Sequence, residues 1–226
     1  RMMIARKNRF PCPHCPEELH RKSAALPWRF RCPVHAVEFR DATGETLSDR
    51  FGTDRFKKLE GYAEAGAAHL DAWARDAGQG DLGVREVLQV LTERHRRASP
   101  LNVNEQPRMS LKDRRDYHDF LAMPILRQAL TVVVPEYDQV APVLAKPVRP
   151  GLHSLAQGSL LQGFALTVGI GRIIEDPVKW AIVVLMASDA EGQERVRAAL
   201  KSWPLSLRRR ISARFWRAER DERARQ

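Results

Sequence analysis

Long apolar runs are missing from this sequence. No stretch of 18 or more uninterrupted apolar residues occurs, so no segment reads as a membrane-spanning helix. The basic opening Arg1 to Lys7 is not followed by the apolar core of a secretory signal. A soluble, cytoplasmic protein with no membrane partner is therefore expected, and the arginine ahead of Met2 points to a trimmed or extended N-terminus. Catalytic signatures are missing as well. There is no G-x-x-x-x-G-K-[ST] phosphate loop, and Gly169-Ile-Gly171 lacks the third glycine and the preceding strand of a dinucleotide site. Neither H-E-x-x-H nor G-x-S-x-G is present. Asp113, Asp116 and Asp119 interleave with Arg114 and Arg115 as a solvated helix side would, not as a two-metal carboxylate set. The expectation is a protein that is not an enzyme.

Cysteine is also scarce: there are three, all within the first 32 residues. Their placement is informative. Cys12 and Cys15 form Cys-Pro-His-Cys, and after sixteen residues Cys32 and His35 form Cys-Pro-Val-His. Each pair places two ligands on one tight turn, and two facing turns supply the four donors of a tetrahedral structural zinc site. Pro13 and Pro33 each follow the first ligand of a pair and stiffen the turn by fixing φ. A disulfide framework would leave one cysteine over and ignore His35. A redox C-x-x-C would need a βαβ setting that is absent, and a catalytic zinc would need an open coordination position. Cys12, Cys15, Cys32 and His35 are thus the expected Zn2+ ligands. His14 reads as solvent-facing, and His20 as a poorly spaced spare. Trp28, Phe30, Val37 and Phe39 alternate as a short antiparallel pair would, forming an apolar cap over the metal.

Acidic residues are few at the two ends. The net charge is +10, yet residues 1–40 carry +6, residues 201–226 carry +6 and the middle carries −2. Two positive ends around a near-neutral body favour a polyanionic partner, nucleic acid foremost. In the C-terminal segment Leu205, Leu207, Ile211, Phe215 and Trp216 would dock a helix on the body. Arg208, Arg209, Arg210, Arg214 and Arg217 would then face outward as a nucleic-acid-binding set. A merely solvated basic face is the competing reading.

The 43% apolar content is enough for a core, and the periodicity between the ends is helical. Thr53 or Asp54 caps a helix carrying Phe56, Leu59, Tyr62, Ala63, Gly66, Leu70 and Trp73. A second helix holds Val84, Val87, Leu88 and Leu91 and ends near Ser99-Pro100; a third starts at Ser110. Residues 124–145 read as helix broken at Pro135, and 146–150 as a Pro-rich linker. Residues 152–170 read as a glycine-interrupted helix. Asp176-Pro177 opens the next, Ser188 and Glu191 form a capping box, and the last runs from Leu205. The fold expected is mainly α: a zinc-knuckle module over 1–45, then a multi-helix domain over 46–226. A helix-turn-helix has room within 152–187, with a plain core pair as the alternative.

The segment Phe10-Pro-Cys-Pro-His-Cys-Pro-Glu-Glu, then Trp28, then Cys32-Pro-Val-His35, resembles the TniQ family, in which a CPxC…W…CPxH pattern recurs. The segment Arg197 to Pro204 with Leu205-Ser-Leu-Arg-Arg-Arg is similar to the Trp-Pro and basic helix of TniQ-like chains. The chain departs from the family's usual pattern in three ways. Only eleven residues precede Cys12, there are no further cysteines, and Ala36 stands where a glycine often follows the histidine. The resemblance implies a non-catalytic adaptor in target-site selection for DNA transposition. Its partners would be DNA or a protein–nucleic acid complex, through an AAA+ transposition regulator or an RNA-guided effector complex. A zinc-containing, sequence-specific DNA-binding regulator unrelated to transposition is the alternative that the residues themselves leave open.

Overall fold

The structure is a computed structural model that describes residues 9–10, 12–15, 26–77, 80–98, 125–141, 148–157 and 159–225. It is mainly helical, with the Cys/His cluster ahead of the helices. Strands β1 (Arg9–Phe10) and β2 (Arg40–Asp41) pair antiparallel and close the knuckle segment. Then come α1 (Leu47–Phe51), α2 (Thr53–Ala74), α3 (Val84–Leu91), β3 (Arg94–Ala98), β4 (Ile125–Gln128), α4 (Ala129–Val133) and α5 (Pro135–Val140). A 3-10 turn (Gly151–Gln157) leads into α6 (Leu160–Glu175), α7 (Pro177–Ala187), α8 (Ala190–Leu200) and α9 (Leu205–Arg223).

The architecture is built around α6. Its sequence carries no charge before Arg172, and every residue from Leu160 to Ile173 is buried, as a helix apolar on all sides must be. It crosses α2 at the closest possible range. A Cβ on Gly66 would overlap the Thr167 carbonyl and sit 3.0 Å from the Gly171 amide, and one on Gly171 would overlap the Tyr62 carbonyl. Glycine here brings backbone onto backbone. On α6 the polar groups taken inside find partners: the Thr167 hydroxyl donates to Gly163 O at 2.7 Å. Arg172 donates to Val133 O at 2.6 Å and in a fork to Glu136 at 2.9 and 3.0 Å. Its guanidinium lies 5.1 Å from the Tyr62 ring centre and 5.5 Å from that of Trp180.

Several expectations hold. α2 buries Phe56, Leu59, Ala63, Gly66 and Leu70. Asp176 caps α7, accepting from the Lys179 amide at 3.0 Å, with Pro177 at the first helical position. Trp203-Pro204 separates α8 from α9. The pair α6–α7, joined by Asp176 alone, is built as core: its first helix is buried from Leu160 to Ile173, and the three- or four-residue turn of a helix-turn-helix is absent there.

Other expectations are corrected. The second helix stops at Leu91, where the Thr92 hydroxyl donates back to Leu88 O at 2.6 Å, and Arg94–Ala98 is a strand paired with Ile125–Gln128. That strand has no apolar alternation, and a partner thirty residues away creates it. Strand β4 likewise claims the start of the 124–145 segment, while Ala129–Val133 and Pro135–Val140 are helical as read, with Pro135 beginning α5. The cap before α2 is Gly52, with φ of 79°, because a short helix α1 capped by Thr46 precedes it. Asp189, not Ser188, caps α8, accepting from the Gly192 amide at 2.8 Å. The helix expected from Ser110 lies outside the described residues.

The segment read as a linker over 146–150 is, at Val148, part of the core. Gln128 is buried and sews it down: Nε2 donates to Thr92 O at 3.0 Å and to Val148 O at 2.6 Å, while Oε1 accepts from Val148 N at 2.8 Å. Gln128→Ala strands three buried backbone groups at once. It is expected to cost about 2–4 kcal/mol, read as a lowered midpoint in urea with an unchanged m-value.

Candidate metal centre

The two knuckles are turns closed by their own backbone. Cys15 N donates to Cys12 O at 3.1 Å, and Ala36 N donates to Cys32 O at 2.9 Å. Pro13 and Pro33 occupy the second position of each turn, where a fixed φ is an advantage. Ala36 sits at φ 54°, in the left-handed region that glycine enters at no steric cost. The turn therefore demands the conformation even where alanine has replaced the residue that suits it best.

These turns bring the four expected ligands together, all donor atoms lying within 4.8 Å of one another. His35 Nδ1 is 3.6 Å from Cys12 Sγ, 3.4 Å from Cys15 Sγ and 3.7 Å from Cys32 Sγ, and the Cys15 and Cys32 sulfurs are 3.6 Å apart. A tetrahedral zinc with the usual bond lengths has S···S edges of about 3.8 Å and S···N edges of about 3.6 Å. These four edges match those of a bound zinc, and they select Nδ1 as the histidine donor. Four protein donors would fill the shell of a bound zinc, the closed arrangement of a structural centre. Cys12 and Cys32 are buried, Cys15 is half-buried and His35 faces solvent.

Burial and the neighbouring thiols Cys32 and Cys12 push Cys15 up to about 11. At Cys32 burial works in the same direction. The backbone amides of His35 and Val34, with the His35 ring, outweigh it and bring that thiol down to about 6. The neighbouring thiols oppose the ionisation of Cys15, and a divalent cation held there would remove that opposition. His14 is exposed, its ring 5.7 Å from that of His35, and is outside the donor set as expected. His20 lies outside the described residues.

The antiparallel pairing expected around the second knuckle is present: Cys32 N donates to Val37 O and Phe39 N to Phe30 O, each at 2.8 Å, with Arg31 and Glu38 bridged between them. Its apolar residues do more than cap the metal. Trp28, Phe30 and Phe39 belong to one continuous core with the helices. The Phe30 ring meets Phe164 of α6 edge-on at 5.1 Å, and Phe51 and Phe56 reach the same ring at 5.5 Å.

Two carboxylates of α2, not singled out from the sequence, complete the docking. Asp71 accepts from Trp28 Nε1 at 2.7 Å and from the Arg29 guanidinium; Glu60 accepts from Arg31 Nε at 2.7 Å. They stand eleven residues apart, three helical turns, and so line the face that meets the knuckle.

The arginines of the C-terminal helix divide. Ile211 and Phe215 are buried against the body, and Arg209, Arg210, Arg214 and Arg217 are exposed as expected. Arg210, Arg214 and Arg217 recur at i, i+4 and i+7 along one flank. Arg208 departs from that expectation. It precedes Ile211 by three and Phe215 by seven, which puts it on the docking side, half-buried, with Nε enclosed. From Leu205 to Ala218 there is no acidic residue, and among the described residues the first ion pair on this helix is Arg223 with Glu219 at 3.0 Å. No helix among the described residues is long and apolar enough to cross a membrane. Comparison of the chain with protein-family models, with curated proteins and with solved structures returns no match.

Proposed function

We propose that this chain is a non-catalytic, zinc-anchored adaptor that associates with nucleic acid, and that its setting is target-site selection in DNA transposition. The observation that carries the nucleic-acid reading is the arginine face of α9: Arg209, Arg210, Arg214 and Arg217 are exposed, with no ion-pair partner among the described residues. Guanidinium groups held on a rigid helix are suited to bidentate phosphate contacts. The knuckle's part is architectural: its Trp28, Phe30 and Phe39 join the same core that carries α9. The transposition setting draws its support from the resemblance of the Cys-Pro-His-Cys…Trp…Cys-Pro-Val-His segment to TniQ proteins. DNA and an AAA+ regulator or RNA-guided effector complex are the partners it implies.

The DNA reading is tested by fluorescence anisotropy across a salt series. Substituting glutamine at Arg209, Arg210, Arg214 and Arg217 is expected to weaken duplex binding at least about tenfold and to flatten the salt slope by about 2–4. Unchanged affinity and slope would assign these arginines to a solvated face. The setting is tested by the gene neighbourhood: adjacent transposase and ATPase genes support it, and an isolated locus contradicts it.

A further inference from the structure

A cleft of about 220 Å³ opens where α9 crosses α7 and α8. Its floor is apolar, formed by Leu185, Leu200, Ile211 and Phe215, and its rim carries Arg197, Lys201 and Arg208 with no carboxylate among the lining residues. Drug-sized sites run from roughly 300 to 1,000 Å³, so this one admits a single ring system rather than an extended ligand.

We infer that the cleft receives one unstacked nucleobase, with its flanking phosphate held by Arg197, Lys201 and Arg208. This rests on the nucleic-acid reading above and adds to it a preference for single strands. Three observations favour that occupant. The Arg197 guanidinium lies 5.2 Å from the Phe215 ring centre and donates to Gln193 Oε1 at 3.0 Å, so a planar cation is already fixed in place. Arg208 Nε is enclosed with no hydrogen-bond partner among the described residues, a donor that lacks an acceptor. Trp216 is 57% exposed beside Phe215, the two ring centres 5.8 Å apart, and it leaves a large flat face uncovered. A base stacks on such a face and its phosphate neutralises the cations. Bases in a duplex are already stacked on both sides and have no face to offer. A carboxylate side chain of an acidic peptide would satisfy the charge and leave the ring surfaces unused.

The test uses the full chain with a labelled oligothymidine of about twelve nucleotides and a duplex of the same length. Trp216 is exposed and Lys201 is on the surface, so Trp216→Ala and Lys201→Gln leave the fold intact. Trp216→Ala is expected to weaken single-strand binding roughly 5- to 100-fold while duplex binding changes less than about twofold. Lys201→Gln is expected to weaken single-strand binding and flatten its salt slope by about one. Single-strand binding unchanged in both variants overturns the cleft's role and leaves the arginine face of α9 standing. Equal losses on single strands and duplex overturn the unstacked-base preference. A chain that binds neither oligonucleotide overturns the nucleic-acid reading and this inference with it.

Discussion

Replacing Cys32 with alanine is expected to reduce bound zinc from one equivalent to essentially none, and to cost more than about 4 kcal/mol of stability. The first effect follows from the donor set. Cys32 supplies one of four clustered donor atoms, 3.6 Å from Cys15 Sγ and 3.7 Å from His35 Nδ1, and three remaining donors leave an open, hydrated position. The second follows from where the knuckle sits. Trp28, Phe30 and Phe39 are buried in the same core as Phe164, so loosening the turn at Cys32 releases aromatic surface from the helices too. Elemental analysis and thermal unfolding read the two effects together. His14→Ala is the matched control, and its zinc content and midpoint are expected to stay at the parent values because His14 is outside the donor set. Full zinc in Cys32→Ala would remove the four-ligand assignment.

Gly171→Val is expected to cost about 4 kcal/mol or more, and with α6 displaced the chain loses cooperative unfolding. The side chain has nowhere to go. A single Cβ already overlaps the Tyr62 carbonyl of α2, and that oxygen belongs to a helix that cannot yield locally. Separating α2 from α6 also drags Asp71 and Glu60 away from the knuckle they hold. Gly61→Val on α2 meets open space and serves as the comparison, expected to cost about 1 kcal/mol or less. Chemical denaturation followed by circular dichroism distinguishes them; equal midpoints for the two variants would show that the α2–α6 crossing is not tight.

The metal centre was legible because its chemistry is local. Each ligand pair lies within four residues, the prolines mark the turns, and the donors need only the two turns to face each other. Asp176-Pro177 and Trp203-Pro204 were legible for the same reason, since caps and breaks are written in adjacent residues. What escaped the sequence acts over distance. Arg94–Ala98 shows no strand pattern until Ile125–Gln128 pairs with it. Val148 reads as linker until a glutamine twenty residues earlier takes both of its backbone groups. Asp71 and Glu60 look like ordinary charges on an amphipathic helix, and only the knuckle's arrival some forty and twenty-nine residues away in sequence gives them a role. Composition groups Arg208 with its neighbours Arg209 and Arg210, while a helix assigns faces by a rotation of about 100° per residue.

The zinc K-edge absorption spectrum of the purified chain tests the account at its centre. Three sulfur scatterers at about 2.3 Å and one nitrogen at about 2.0–2.1 Å, at one zinc per chain, are the expected result. A first shell of oxygen and nitrogen alone, or a chain that folds to the same stability with no zinc bound, would contradict it.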